Sequence, residues 1–153
     1  MNQDFLKQTL LFQDLTEEEL VEIILIGQVI GFKKDQVIFR EGEPGDTLYL
    51  IVEGSVRISK MSNNCEEALT ILEARSFFGE MTLFDQEPRS AWAIAHEDSS
   101  VFAIRSSDLF SVFENNRSIG YKFLWAFCQT LAKRLRMTNE KFNIMMSLAN
   151  VGF

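Results

Sequence analysis

The sequence predicts a mainly β protein with α elements: an antiparallel β-roll flanked by N-terminal helices and followed by a long C-terminal helix. Three observations carry this. From Gln28 to Ile104, short β-branched and aromatic runs are separated by turn residues, the pattern of a small antiparallel barrel or roll. Thr16 is followed three positions later by Glu19, the reciprocal capping pair that opens a helix. Between Tyr121 and Val151 no glycine or proline interrupts the chain, and apolar or small residues recur in steps of four and three.

Size and composition bound the answer. The 153 residues, 46% of them hydrophobic, make one domain with a core. Within it, residues 1–27 read as N-terminal helices, 28–105 as the roll and 106–150 as C-terminal helices. The longest apolar run, Ile23–Ile26, cannot cross a bilayer, and the first residues lack a basic start and apolar middle. We therefore expect a cytoplasmic protein with no membrane partner. Cys65 and Cys128 are far apart and there is one histidine, so neither a disulfide framework nor a metal is expected. A net charge of −7 opposes duplex DNA. A small anion must then be captured by local groups.

Taken in order, Asp4–Phe12 is apolar enough for a short packing helix, and the helix opened by Thr16 stops at Gly27. The candidate strands are Val29–Phe32, Gln36–Phe39, Leu48–Val52, Ser55–Ser59, Ala68–Leu72, Ala91–Ala95 and Val101–Ile104. Glu43–Asp46 is a turn by its Pro-Gly pair, Glu53-Gly54 a tight reversal, and Ser62–Glu67 a polar hairpin loop. Ser106 or Ser107 caps a short helix that Asn115 and Asn116 interrupt. The last helix, from about Ser118, carries Leu124, Cys128, Leu131, Leu135, Thr138, Phe142, Met145 and Ala149 on one stripe, the seam of a left-handed coiled coil. A second copy covering that stripe would make a twofold homodimer; the stripe packing on its own roll is the alternative.

The chemistry concentrates in Arg75–Ala91. Gly79 lets a ligand approach the backbone, and Glu80–Phe84 has residues for about one helical turn, whose free N–H groups favour an anion. Asp85–Pro88 ends that turn. Arg89, on the stiff corner, can form a forked contact to a phosphate, and Ser90 adds a hydroxyl. A carboxylate beside an anion site makes sense if Glu80 accepts from a sugar hydroxyl. The residues alone also allow a surface turn with an incidental Glu80–Arg89 ion pair. No serine, cysteine or lysine has an activating neighbour, and His96 lies in a polar loop, so no enzyme is expected.

The order of Gly79, Glu80, Leu83, Arg89 and Ala91 resembles the phosphate-binding cassette, here residues 76–91, of the cyclic nucleotide-binding domain family. The wider sequence is most similar to the sensor domains of catabolite activator and Fnr-type regulators. Pro44–Ile58 resembles the family's central strands and Leu131–Lys141 its long helix. The resemblance implies a roll of the double-stranded β-helix, jelly-roll type, that binds cyclic AMP or cyclic GMP with no metal. It implies that Arg89, Ser90 and the amides of Gly79, Glu80, Met81 and Thr82 hold the phosphate, and that Glu80 takes the ribose. It further implies that Ile58, Leu69 and Leu72 line the pocket, that Arg134 faces the ligand, and that Thr138 with Asn139 meets the base across the dimer. Asn139 stands where the family has serine. From the residues alone, Ile58, Leu69 and Leu72 read equally as core, and Thr138 as a register-setting polar residue. The family's regulators carry a DNA-binding domain after the long helix. This chain reads either as a stand-alone sensor or as part of a longer regulator, with no nucleic-acid site of its own.

Overall fold

The computed structural model describes residues 1–63 and 65–151. Two four-stranded antiparallel sheets face one another. One runs in the order β1 (Gly27–Phe32), β8 (Ser99–Arg105), β3 (Thr47–Glu53) and β6 (Phe77–Phe78); the other runs β2 (Val37–Phe39), β7 (Trp92–Ala95), β4 (Ser55–Ser62) and β5 (Cys65–Glu73). The chain crosses between the sheets at nearly every step, which makes a roll rather than two stacked meanders. All the expected strands form, most of them longer than their apolar runs. β6 was not expected, because two phenylalanines carry no alternation to read.

Two apolar clusters hold the roll. Phe39, Ile51, Val56, Phe78, Ala93 and Val101 fill the space between the sheets. The larger cluster joins the outer face of the first sheet, through Leu48, Leu50, Phe102 and Ile104, to the helices.

The helices depart from expectation in instructive ways. α1 spans only Gln3–Lys7; Gln8–Asp14 continues as turns that still bury Leu11 and Phe12. α2 (Glu17–Ile26) has the full capping box and passes into β1 at Gly27. α4 (Ser106–Asn115) is preceded by Arg105 and has no side-chain cap, so neither serine plays that part. The Ser106 N–H instead donates to the Asp46 carbonyl, a tertiary partner that replaces a local one. The expected Glu43–Asp46 turn falls earlier, where Glu43 N–H donates to the Arg40 carbonyl. The hairpin loop is shorter than Ser62–Glu67, since Ser62 already pairs with Cys65; its Asn64 lies outside the described residues.

α5 runs from Arg117 to Val151, and 35 residues at 1.5 Å each make it about 50 Å long. Ile119, Phe123, Ala126 and Phe127 bury one stripe against the domain. The four-and-three seam lies on a different stripe: Leu135 is 62% exposed and Met145 68%. The roll therefore does not cover the seam. No described helix is long and apolar enough to cross a membrane.

Glu19 fastens α2 to α5. Its buried carboxylate accepts from the Thr16 N–H at 2.9 Å, the Ser118 hydroxyl at 2.6 Å and the Lys122 ammonium at 2.7 Å. Burial alone would raise its pKa, but those donors together bring it from 4.5 to about 2. A carboxylate held below its unfolded value contributes stability that is complete above the unfolded pKa and disappears as pH falls toward the folded one. Unfolding should therefore become easier between pH 4.5 and about 2, and Glu19→Gln should lose on the order of 1–3 kcal/mol at neutral pH. The variant's deficit should shrink as pH falls through that window; urea unfolding at pH 7 and pH 3 measures both.

Candidate functional site

Arg89 is fixed first by its backbone. Its carbonyl accepts from the Gly42 N–H at 2.9 Å and its N–H donates to the Glu43 carbonyl at 2.8 Å. The side chain then runs inward and is only 4% exposed. The guanidinium lies 4.2 Å from the Phe39 ring centroid, Nη1 donates to the Gly79 carbonyl at 2.8 Å and to Thr82 Oγ1 at 3.1 Å, and Nη2 donates to the Thr47 carbonyl at 3.0 Å. Two glycines make room for it. A Cβ on Gly45 would stand 2.2 Å from Nε, and one on Gly79, whose φ is +76°, 2.7 Å from Nη1. Burial pushes the guanidinium's pKa below its ordinary value, an effect opposed by the negative charges of Asp46, Glu80 and Glu43. Its Nε–H is buried with no partner, and no carboxylate among the described residues forms an ion pair with it.

After Gly79 the chain makes the single helical turn expected, α3 (Thr82–Asp85). It ends at Gln86, whose φ of +57° takes the left-handed conformation two residues before Pro88. The Glu80, Met81 and Thr82 amides have no backbone partners among the described residues, so this end of the cassette retains its donors. The buried Glu80 carboxylate does not pair with Arg89. It accepts from Arg134 Nη1 at 2.6 Å, across the gap to α5. Arg134 also lies 4.5 Å from the Phe77 ring centroid and donates to the Phe77 carbonyl at 3.3 Å.

Between cassette, sheet and α5 lies a cavity of about 350 Å³. Gly79, Glu80, Met81, Thr82, Arg89 and Ser90 line it from the cassette, Ile58 and Leu72 from the second sheet, and Arg134 and Thr138 from the helix. Ser90 is exposed, and its hydroxyl is 3.7 Å from Met81 Sδ. The Thr138 hydroxyl donates to the Arg134 carbonyl at 2.9 Å, leaving only lone pairs for anything in the cavity.

Two expected residues stand elsewhere. Leu69 is 57% exposed and is not part of the lining; it is an odd number of positions from Leu72, and alternate strand residues face opposite sides. Asn139 is exposed and outside the lining, since neighbouring helical positions are turned about 100° from one another. The structure adds Thr70, Met137 and Lys141. Thr70 was recoverable from strand alternation with Leu72, and Met137 and Lys141 from helical spacing to Arg134 and Thr138. No group of three or more His, Cys, Asp or Glu among the described residues is placed to hold a metal.

Comparison with known proteins agrees with this geometry. The family model described as the cyclic nucleotide-binding domain matches residues 29–116. The chain is 30% identical over 131 residues, 85% of its length, to the CRP-like cAMP-activated global transcriptional regulator of Mycobacterium tuberculosis, and spans 57% of that protein. It is 27% identical over 150 residues to human cGMP-dependent protein kinase 2, covering 96% of this chain and 19% of the kinase. Among solved structures, a cyclic nucleotide-binding domain from Methylobacillus flagellatus is 27% identical with a TM-score of 0.80, over 90% of this chain and 78% of that one. The family match ends before α5, so Arg134, Thr138 and Lys141 lie beyond it.

The close approach of Gly45 to Arg89 can be tested without any ligand. Gly45→Ala should cost about 1–3 kcal/mol through overpacking, lowering the thermal midpoint by several degrees. Added to Arg89→Ala, it should cost far less than on the wild-type background, because the collision is gone. Strictly additive melting shifts in the double variant would contradict the contact.

Proposed function

The chain belongs to the cyclic nucleotide-binding domain family, and on that premise we propose that it is a sensor module that binds a cyclic purine nucleotide, cyclic AMP foremost. The observation that carries this is the state of Arg89: a nearly fully buried guanidinium in the wall of a cavity, with no ion pair and no partner for its Nε–H among the described residues. An unpaired buried charge is costly, and a phosphate entering the cavity supplies the missing counter-charge. The unused amides of Glu80, Met81 and Thr82, and the Ser90 hydroxyl, complete that end. Glu80 accepts from the ribose hydroxyl, Ile58 and Leu72 provide apolar walls, and Thr138 meets the base. The cyclic AMP dependence named for the mycobacterial regulator supports this choice of ligand.

The response passes through α5. Arg134 pairs with Glu80, the group proposed for the ribose, so a ligand that takes hydrogen bonds from Glu80 alters the helix's hold on the roll. Differential contact in two states is what such coupling requires. The exposed seam of α5 fits a second copy, giving a homodimer in which the two helices pair. We regard the module as a binding protein rather than an enzyme. Similarity to the mycobacterial regulator favours a second reading as the sensor part of a transcription regulator, with no nucleic-acid contact from the residues described. A module that only dimerises is the remaining alternative.

Calorimetric titration with cyclic AMP and cyclic GMP tests the binding claim. Arg89→Ala and Arg89→Lys should each weaken binding, the alanine variant by on the order of 2–4 kcal/mol; wild-type protein that binds neither nucleotide would sink the sensor reading and leave dimerisation alone. For the dimer, Leu135→Glu should shift the mass seen by light scattering from two chains toward one, while leaving the circular dichroism spectrum of the roll unchanged.

A further inference from the structure

A second groove, of about 450 Å³, lies at the end of the first sheet where β1 begins and β8 passes into α4. Its floor follows from the strand register. Ala103 pairs with Gln28 on one side and with Tyr49 on the other, and two positions on Arg105 pairs with Thr47. Residues directly opposite one another share a face, and so do residues two apart along a strand. The methyl group of Ala103, set between the longer Gln28 and Tyr49, leaves a depression that all five residues line. Asp46, just before β3, and Asp108, in the first turn of α4, complete the lining on that side.

Two carboxylates and one guanidinium therefore line one groove, yet Asp46, Arg105 and Asp108 form no ion pair among the described residues. The Thr47 hydroxyl donates to one oxygen of Asp46 at 2.8 Å, which leaves the other oxygen and the charge uncommitted. Opposite charges held apart around one space define what fits between them. A simple anion gains Arg105 and is repelled by both aspartates, and a simple cation meets the reverse. A molecule with both charges close together satisfies each group, its carboxylate on the guanidinium fork and its ammonium on a carboxylate. Leu25 and Ile30 add apolar contact for a side chain. We propose that this groove is a second ligand site, for a free α-amino acid. The inference is independent of the cyclic nucleotide reading, since the two cavities have no lining residue in common. All three charged side chains are exposed, so solvent screens the contacts and the expected affinity is millimolar rather than micromolar.

The test is a titration of the full chain with each common α-amino acid in turn, followed by the backbone amide NMR signals. At least one amino acid should give saturable shifts centred on Tyr49, Ala103 and Arg105. For that amino acid, the N-acetyl derivative and the carboxamide, which each lack one charge, should bind about tenfold more weakly or worse, the loss of one charge-assisted contact. Arg105→Gln should weaken the parent amino acid by a similar factor, as should Asp46→Asn with Asp108→Asn. The blocked ligands are measured on the wild-type chain, so their result stands whatever the variants do to folding. The proposal is overturned if no amino acid gives saturable shifts at the groove, or if both blocked derivatives bind as tightly as the parent.

Discussion

The site depends on burying one guanidinium. Arg89 reaches the interior because its backbone is tied to Gly42 and Glu43, because Gly45 and Gly79 leave no side chain in its way, and because the Gly79 and Thr47 carbonyls and the Thr82 hydroxyl receive its protons. Those partners come from strand β3, the cassette and the loop before β3. One side chain therefore ties the cassette, which lines the cavity, to strand β3 and the loop before it. The Phe39 ring under the guanidinium joins the same residue to the apolar cluster between the sheets. A lysine could not hold this arrangement, because a single ammonium has no planar fork to spread over three acceptors.

The opposite wall is built differently. The cassette and sheets are locked by ladder hydrogen bonds and two apolar clusters, while the part of α5 that lines the cavity has already left the buried stripe behind. Phe123 and Phe127 anchor the helix, and Arg134, Met137 and Lys141 extend past the anchor. The main polar tie at that level is Arg134 to Glu80, a charge-assisted bond supported by the Phe77 ring and carbonyl. One half of the cavity is thus rigid, and the other is held by a few contacts near a long lever.

Much of this was legible in the sequence, and the failures have physical causes. Glycine, proline and alternating apolar runs identified every strand long enough to alternate, and missed β6, which has two residues. The capping pair at Thr16 and Glu19 was readable because both partners are local; that Glu19 also receives Ser118 and Lys122 was not, because nearly a hundred residues separate them. The cassette's order placed Gly79, Glu80, Arg89 and Ser90 at one cavity. Leu69 stands outside the lining because its odd spacing from Leu72 puts it on the other side of β5. Asn139 stands outside its own chain's cavity because adjacency in sequence is not adjacency on a helix. Glu80 reads from the sequence as an acceptor for a sugar hydroxyl; that Arg134 also holds it is a pairing between distant segments that no local pattern announces.

Two stripes on α5 lead to a last consequence. The stripe through Ile119, Phe123 and Phe127 is spent on the domain, and the one through Leu124, Leu131, Leu135 and Phe142 is exposed. Thr138 belongs to the exposed seam by its spacing and to the cavity by its position. A helix cannot rotate to improve one without changing the other. If a second copy covers the seam, the orientation that pairs the helices also sets where Arg134, Thr138 and Lys141 stand over a ligand. Association and ligand binding then share one variable, the rotation of α5, and by linkage each must change the other's free energy by the same amount.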